Sequence, residues 1–125
     1  PMKAKHLKKA LMQFAEEGAA KVFKPSLGSG FIVGVVGALQ FEVLASRIEL
    51  EYGLPVRFET SQFTSARWVG GAKEAVDTFS NANRQHMAFD HDGDHVYLTR
   101  LQWDIDRVER DYPDVTLTST KEMMV

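Results

Sequence analysis

The chain contains no cysteine. Disulfides and thiolate metal centres are thereby excluded, and the usage fits a cytoplasmic protein. No apolar run approaches the ~20 residues that a membrane-crossing helix needs. The opening Pro1-Met2-Lys3-Ala4-Lys5 has no apolar segment behind it, so it does not read as a signal peptide. It also lacks an initiator Met at position 1, so we expect a piece of a longer chain. A surplus of positive charge is missing too: 15 Lys and Arg stand against 17 Asp and Glu, for a net charge of −2. A protein whose sole task is to hold a nucleic-acid backbone is usually strongly basic, because that binding runs on phosphate neutralisation. Finally, the phosphate loop G-x-x-x-x-G-K-[ST] occurs nowhere. Gly28-Ser29-Gly30 opens like a dinucleotide fingerprint, but the place of its third glycine is taken by Val33.

What is present is the material of a globular domain, 44% apolar and 26% charged in 125 residues, enough for one domain or two very small ones. The charge is uneven. Lys3, Lys5, Lys8 and Lys9 crowd the first nine residues around His6, and carboxylates dominate 90–94 and 104–114.

Leu7, Leu11 and Phe14 fall at helical spacing and predict a helix over 4–17, stopped by Gly18. Val22-Phe23, a turn at 26–30 and the apolar run 31–36 read as a β-hairpin. Phe41, Leu44, Ala45, Ile48 and Tyr52 form one stripe of a helix over 38–52, ended by Gly53 and Pro55. Val56 to Glu59 alternates apolar with charged, the pattern of a half-buried strand.

A second round follows: a strand over 63–69, a helix marked by Ala72, Ala75, Val76 and Phe79, and short strands at 87–89 and 96–98 around Asp92-Gly93. It closes with a helix marked by Leu101, Ile105 and Val108 and a strand at 115–118. That half reads β-α-β-β-α-β, the split βαβ or ferredoxin-like unit, and the first half reads as the same unit without its opening strand. The expected class is α+β, an α/β plait. One continuous domain over 1–125, with sub-lobes 1–60 and 61–125, and two separate domains both suit the pattern. A sheet lacking a strand has an open edge, which is costly, so upstream chain or another segment should cover it.

Several passages carry a family likeness. Ala15-Glu16-Glu17-Gly18-Ala19 followed by Val22-Phe23 resembles a passage of domain III in translational GTPases such as elongation factor G. Gly34-Val35-Val36-Gly37-Ala38-Leu39-Gln40-Phe41-Glu42-Val43 is similar to that domain's second signature. Its start, Gly37-Ala38-Leu39-Gln40-Phe41, is closer to the class II peptide-chain release factors, as are Arg47-Ile48-Glu49, Glu51-Tyr52-Gly53, Ser65-Ala66-Arg67-Trp68-Val69 and the run Glu109 to Val115. The likeness covers nearly the whole chain, most specifically 11–69 and more loosely 81–95. It implies the C-terminal portion of a bacterial, cytoplasmic termination GTPase that helps dissociate class I release factors from the ribosome after peptide release. GTP or GDP and Mg²⁺ would then belong to an upstream GTPase domain, followed by a β-barrel domain. This portion would hold no cofactor and no catalytic group, and would meet ribosomal RNA and protein, its upstream domains and, indirectly, class I release factors, with no membrane.

Among candidate sites, Lys3, Lys5, Lys8 and Lys9 are either the solvated face of the first helix or contacts to ribosomal RNA phosphates. Arg67 alternates with Ala66 and Trp68 and is a further contact candidate. Trp68 and Trp103 are expected in the core or between lobes. Asp90-x-Asp92-x-Asp94 resembles a calcium loop, but its sixth and twelfth positions are His95 and Leu101 instead of glycine and an acid. His91 and His95 flank a turn instead of sharing a helix face, so a solvated hairpin tip is the expectation there and no metal is assigned. A rival reading remains, a ferredoxin-like module that senses a small molecule between two such units.

Overall fold

The computed structural model describes residues 2–28, 30–35, 37, 39–59 and 61–119, with residues 2 and 3 described by their backbone alone. The order of elements is α1 (Met2–Glu17), β1 (Lys21–Pro25), β2 (Ile32–Gly34), α2 (Leu39–Tyr52), β3 (Ser65–Gly71), α3 (Lys73–Ala82), β4 (Met87–Phe89), β5 (His95–Thr99), α4 (Gln102–Asp111) and β6 (Val115–Thr118). The strands lie in the order β2-β1-β4-β5-β3-β6. The fold is therefore α+β of the plait type, as the pattern predicts. The chain divides into two compact units, 1–22 with 32–60, and 23–31 with 61–125.

In the first unit, α1 forms because Ala10, Leu11 and Phe14 recur on one face and are buried there. Gly18 ends it in the left-handed conformation, φ 77°. The Gly18 N–H reaches the Ala15 carbonyl at 3.2 Å and the Ala19 N–H reaches that of Phe14 at 2.9 Å, the paired bonds of a Schellman stop. The α2 helix buries Leu44 and Ile48 in the same unit. Arg47 ties the two helices. Its Nη1 and Nη2 meet the Glu17 carboxylate oxygens at 2.9 and 3.2 Å, and its guanidinium lies 4.7 Å from the centre of the Phe14 ring. Glu51 adds a weaker contact at 3.5 Å.

The alternation at Val56 to Glu59 is real in burial but is not a strand: Val56 and Phe58 are half-buried, Arg57 and Glu59 exposed. Phe58 packs its ring 5.0 Å from that of Phe41. Alternation supplies a face to bury. A strand also needs a neighbouring backbone to bond its N–H and C=O groups. Of the first unit's expected elements, Val36 and Ala38 lie outside the described residues.

The second unit holds the complete β3-α3-β4-β5-α4-β6 set. Its four strands lie β4-β5-β3-β6, so the first and third strands of the set are central, the order of a split βαβ unit. Register is set by Ser65↔Thr99 through Trp68↔Val96 on one side of β3 and Trp68↔Thr118 through Gly71↔Val115 on the other. Beyond this set, β1 pairs with β4 at Lys24↔Phe89 and Pro25↔Ala88. Val69, Val76, Phe79, Met87, Tyr97, Val108 and Val115 make the core. Phe79 is its pivot, with ring centres 5.3 Å from Tyr97 and 5.0 Å from Tyr112. Burial pushes the Tyr97 phenol pKa up, with Arg107 pulling the other way. Only glycine fits at position 71: a Cβ there would sit 2.6 Å from the Asp114 carbonyl oxygen, at φ +130°.

Candidate functional site

The structure places Lys5, Lys8 and Lys9 together on the exposed side of α1, opposite Ala10, Leu11 and Phe14. The side chain of Lys3 lies outside the described residues. Among the described residues, none of Lys5, Lys8 and Lys9 has a carboxylate within ion-pair distance. The arrangement works against the helix itself. Peptide dipoles make a helix N-terminus positive, so cations there are unfavourable, and α1 has no acidic residue in its first turn and no basic one in its last. Lys5 also stands three and four residues from Lys8 and Lys9, where like charges repel. At the other end, Glu17 lies against the negative pole and needs Arg47. The hydrogen bond from Arg47 holds the Glu17 carboxyl below the ordinary glutamate range, and that bond in turn raises the Arg47 pKa. A cationic cluster with a phosphate-sized ligand nearby reverses this balance, since helix dipole and ammonium groups then act on the same anion.

Arg67 belongs to the second unit, on β3, apart in sequence and element from these lysines. It is half-buried, and its Nη1 donates to the Ala66 carbonyl at 2.9 Å. That bond shares one of its five donors and leaves the side chain partly accessible.

The hairpin tip between β4 and β5 differs from the expected solvated turn in one residue. Asp90 is buried. Its Oδ1 accepts the backbone N–H of Asp92 and of Asp94, both at 2.9 Å, and its Oδ2 accepts the Trp68 indole N–H at 3.0 Å. The carboxylate shapes the turn and satisfies a buried donor at the same time, which explains why an acid is tolerated inside. Among the described residues, Asp90, His91 and Asp92 bring one potential ligand atom each within 4.8 Å of one another. An ion at this triplet would compete with N–H donors that already occupy both Asp90 oxygens.

Trp68 is in the core as expected, and edge-on to Phe23 at 5.9 Å. Trp103 is not: it is 61% exposed at the start of α4, with the Arg107 guanidinium 5.6 Å from its ring centre. The helix turns Ile105 and Val108 inward, and position 103 falls on the opposite face. Sequence reasoning also passed over Leu39, Val43 and Leu50, which α2 exposes. Their 4-then-7 spacing was readable, but the stripe through Phe41, Leu44 and Ile48 already accounted for a helix.

Strand order and helix placement define an α/β plait in which the β3-α3-β4-β5-α4-β6 set is complete, with α1, β1, β2 and α2 before it in the chain. More narrowly, residues 1–109 match the family described as the class II release factor RF3, C-terminal domain. The match takes in all but the last 16 of the 125 residues, and the chain belongs to this family, whose work lies in protein biosynthesis at translation termination. Among the described residues no helix is long and apolar enough to cross a membrane.

Proposed function

We propose that this chain is the ribosome-docking domain of a termination GTPase that promotes recycling of class I release factors, and that the lysine face of α1 meets ribosomal RNA phosphates. The observation that carries the reading is the charge order of α1, with Lys3 and Lys5 in its first turn, Lys8 and Lys9 in its second, and glutamates at its negative pole. Such an order weakens the helix, and a departure from local preference without a structural return is expected where function requires it. Lys3, Lys5, Lys8 and Lys9 supply the cations, and Arg67 is a separate contact on the second unit.

In this reading the chain has no catalytic group and holds no cofactor. GTP or GDP and Mg²⁺ bind an upstream domain of the same cytoplasmic polypeptide, joined through a β-barrel domain. The docking domain then transmits the nucleotide state by rigid-body movement, with class I release factors affected indirectly.

Charge reversal tests it directly. Lys8→Glu with Lys9→Glu should weaken binding to 70S ribosomes and flatten its salt dependence, the log–log slope falling by about one to two for two lost phosphate contacts. Binding that is unchanged across the salt series would remove these residues from the interface. A reproducible thermal shift with amino acids or nucleotides would instead favour the small-molecule-sensing module.

A further inference from the structure

Most helices on a protein surface turn one apolar face inward and a charged face outward. The α2 helix has apolar residues on both. Its inner face buries Leu44 and Ile48. On the other side Leu39, Val43 and Leu50 are 75%, 53% and 83% exposed. With Ser46 they occupy steps of four, three and four residues, the repeat of a helix-pairing seam. At roughly 100° per residue this row lies nearly opposite the inner stripe. It spans about 17 Å, or three turns.

The rims of the row are unequal in charge. Glu42 and Glu49, seven residues apart, follow one rim; both are exposed, and neither has an ion-pair partner among the described residues. The other rim carries Arg47, whose guanidinium is held by Glu17 and Glu51. Two unmet carboxylates thus stand along one side of an aliphatic row.

We propose that the outer face of α2 is a docking seam for an amphipathic helix of a partner protein that carries lysine or arginine along one flank of its apolar stripe. Leu39, Val43 and Leu50 supply the desolvated contact, and Glu42 and Glu49 select the flank and its direction. A second copy of this chain fits poorly. Laid antiparallel, it sets the Glu42 and Glu49 rims against each other, and laid parallel it needs Arg47 released from Glu17. An anionic lipid surface is disfavoured by the same two carboxylates. The inference does not depend on the lysine face of α1.

The test uses the full chain and two synthetic helical peptides of about three heptads, with leucine at the seam positions. One has lysine on its flank, the other glutamate. Fluorescence anisotropy should show the lysine-flanked peptide binding and the glutamate-flanked one at least about tenfold weaker. Hydrogen exchange should show protection confined to residues 39–50. Val43→Lys should abolish binding, and because position 43 is exposed its melting curve should stay that of the parent. Equal binding of both peptides, protection elsewhere, or binding that survives Val43→Lys would overturn the seam. Concentration-dependent dimers that Val43→Lys dissolves would overturn it in favour of a second copy.

Discussion

The helices α1 and α2 bury the same kind of stripe and differ in what they show outside. Towards the core, α1 offers Ala10, Leu11 and Phe14, and α2 offers Leu44 and Ile48. Outward, α1 shows Lys5, Lys8 and Lys9, whereas α2 shows Leu39, Val43 and Leu50. Inner faces answer to packing, where one missing methylene is felt. Outer faces are released from that demand, and a choice there that water does not favour points to something beyond the fold. Both helices break a surface preference, α1 in the order of its charges and α2 in polarity.

The largest effect should separate the two faces of α2. Ile48→Ala should cost about 2–5 kcal/mol in urea unfolding, because a fully buried side chain leaves a cavity. Leu50→Ala, two residues away and exposed, should stay within about 0.5 kcal/mol. Equal costs would mean that the outer face is as covered as the inner one. Next in size is an inward-facing carboxylate. Asp90→Ala removes the acceptor of the Trp68 indole N–H and of two turn N–H groups and should cost about 1–3 kcal/mol, with altered near-ultraviolet dichroism as its spectroscopic mark. A smaller change should carry the opposite sign. Lys5→Glu on α1 places an acid at the positive pole and opposite Lys9 one turn on, so stability should rise by about 0.3–1 kcal/mol while ribosome affinity falls. A variant that gained neither stability nor lost affinity would make α1 an ordinary solvated helix.

The smallest effect depends on pH. The Glu17 carboxyl lies below its ordinary value through Arg47, so its contribution to stability is present above the unfolded glutamate pKa of ~4.3. It is lost as pH falls through the lowered value in the folded chain. Melting temperatures of the parent and of Glu17→Gln should therefore differ near neutrality and converge in acid. A gap that persists in acid would assign the loss to something other than the carboxylate's charge.

Much of this architecture was readable beforehand because each element announces itself locally. The strands Met87–Phe89 and Val115–Thr118 begin and end where their apolar pattern does. The Schellman stop at Gly18 follows from a glycine after two acids at the end of a helical stripe. What escaped depended on partners distant in sequence. Val56 to Glu59 has a strand's alternation, but pairing depends on which backbone lies beside it. Asp90 looks like any turn acid until Trp68, 22 residues earlier, presents its indole. Trp103 shows that size alone does not bury a residue when its helix needs the facing positions for Ile105 and Val108. The lysines were visible as a cluster. The shared exposure of Lys5, Lys8 and Lys9, with no carboxylate within ion-pair distance among the described residues, required the helix to be seen in place.

The pairing of β1 with β4 also has a consequence in time. Lys24 meets Phe89, which lies 65 residues later in the chain. At about 5–20 residues per second of synthesis, that edge of β1 waits on the order of several seconds for its partner strand. Residues 23–31 therefore leave the ribosome early and join their own compact unit late. Stalling translation between positions 31 and 87 would hold the nascent chain with this edge unsealed, the stage at which it is most open to chaperones and to mispairing.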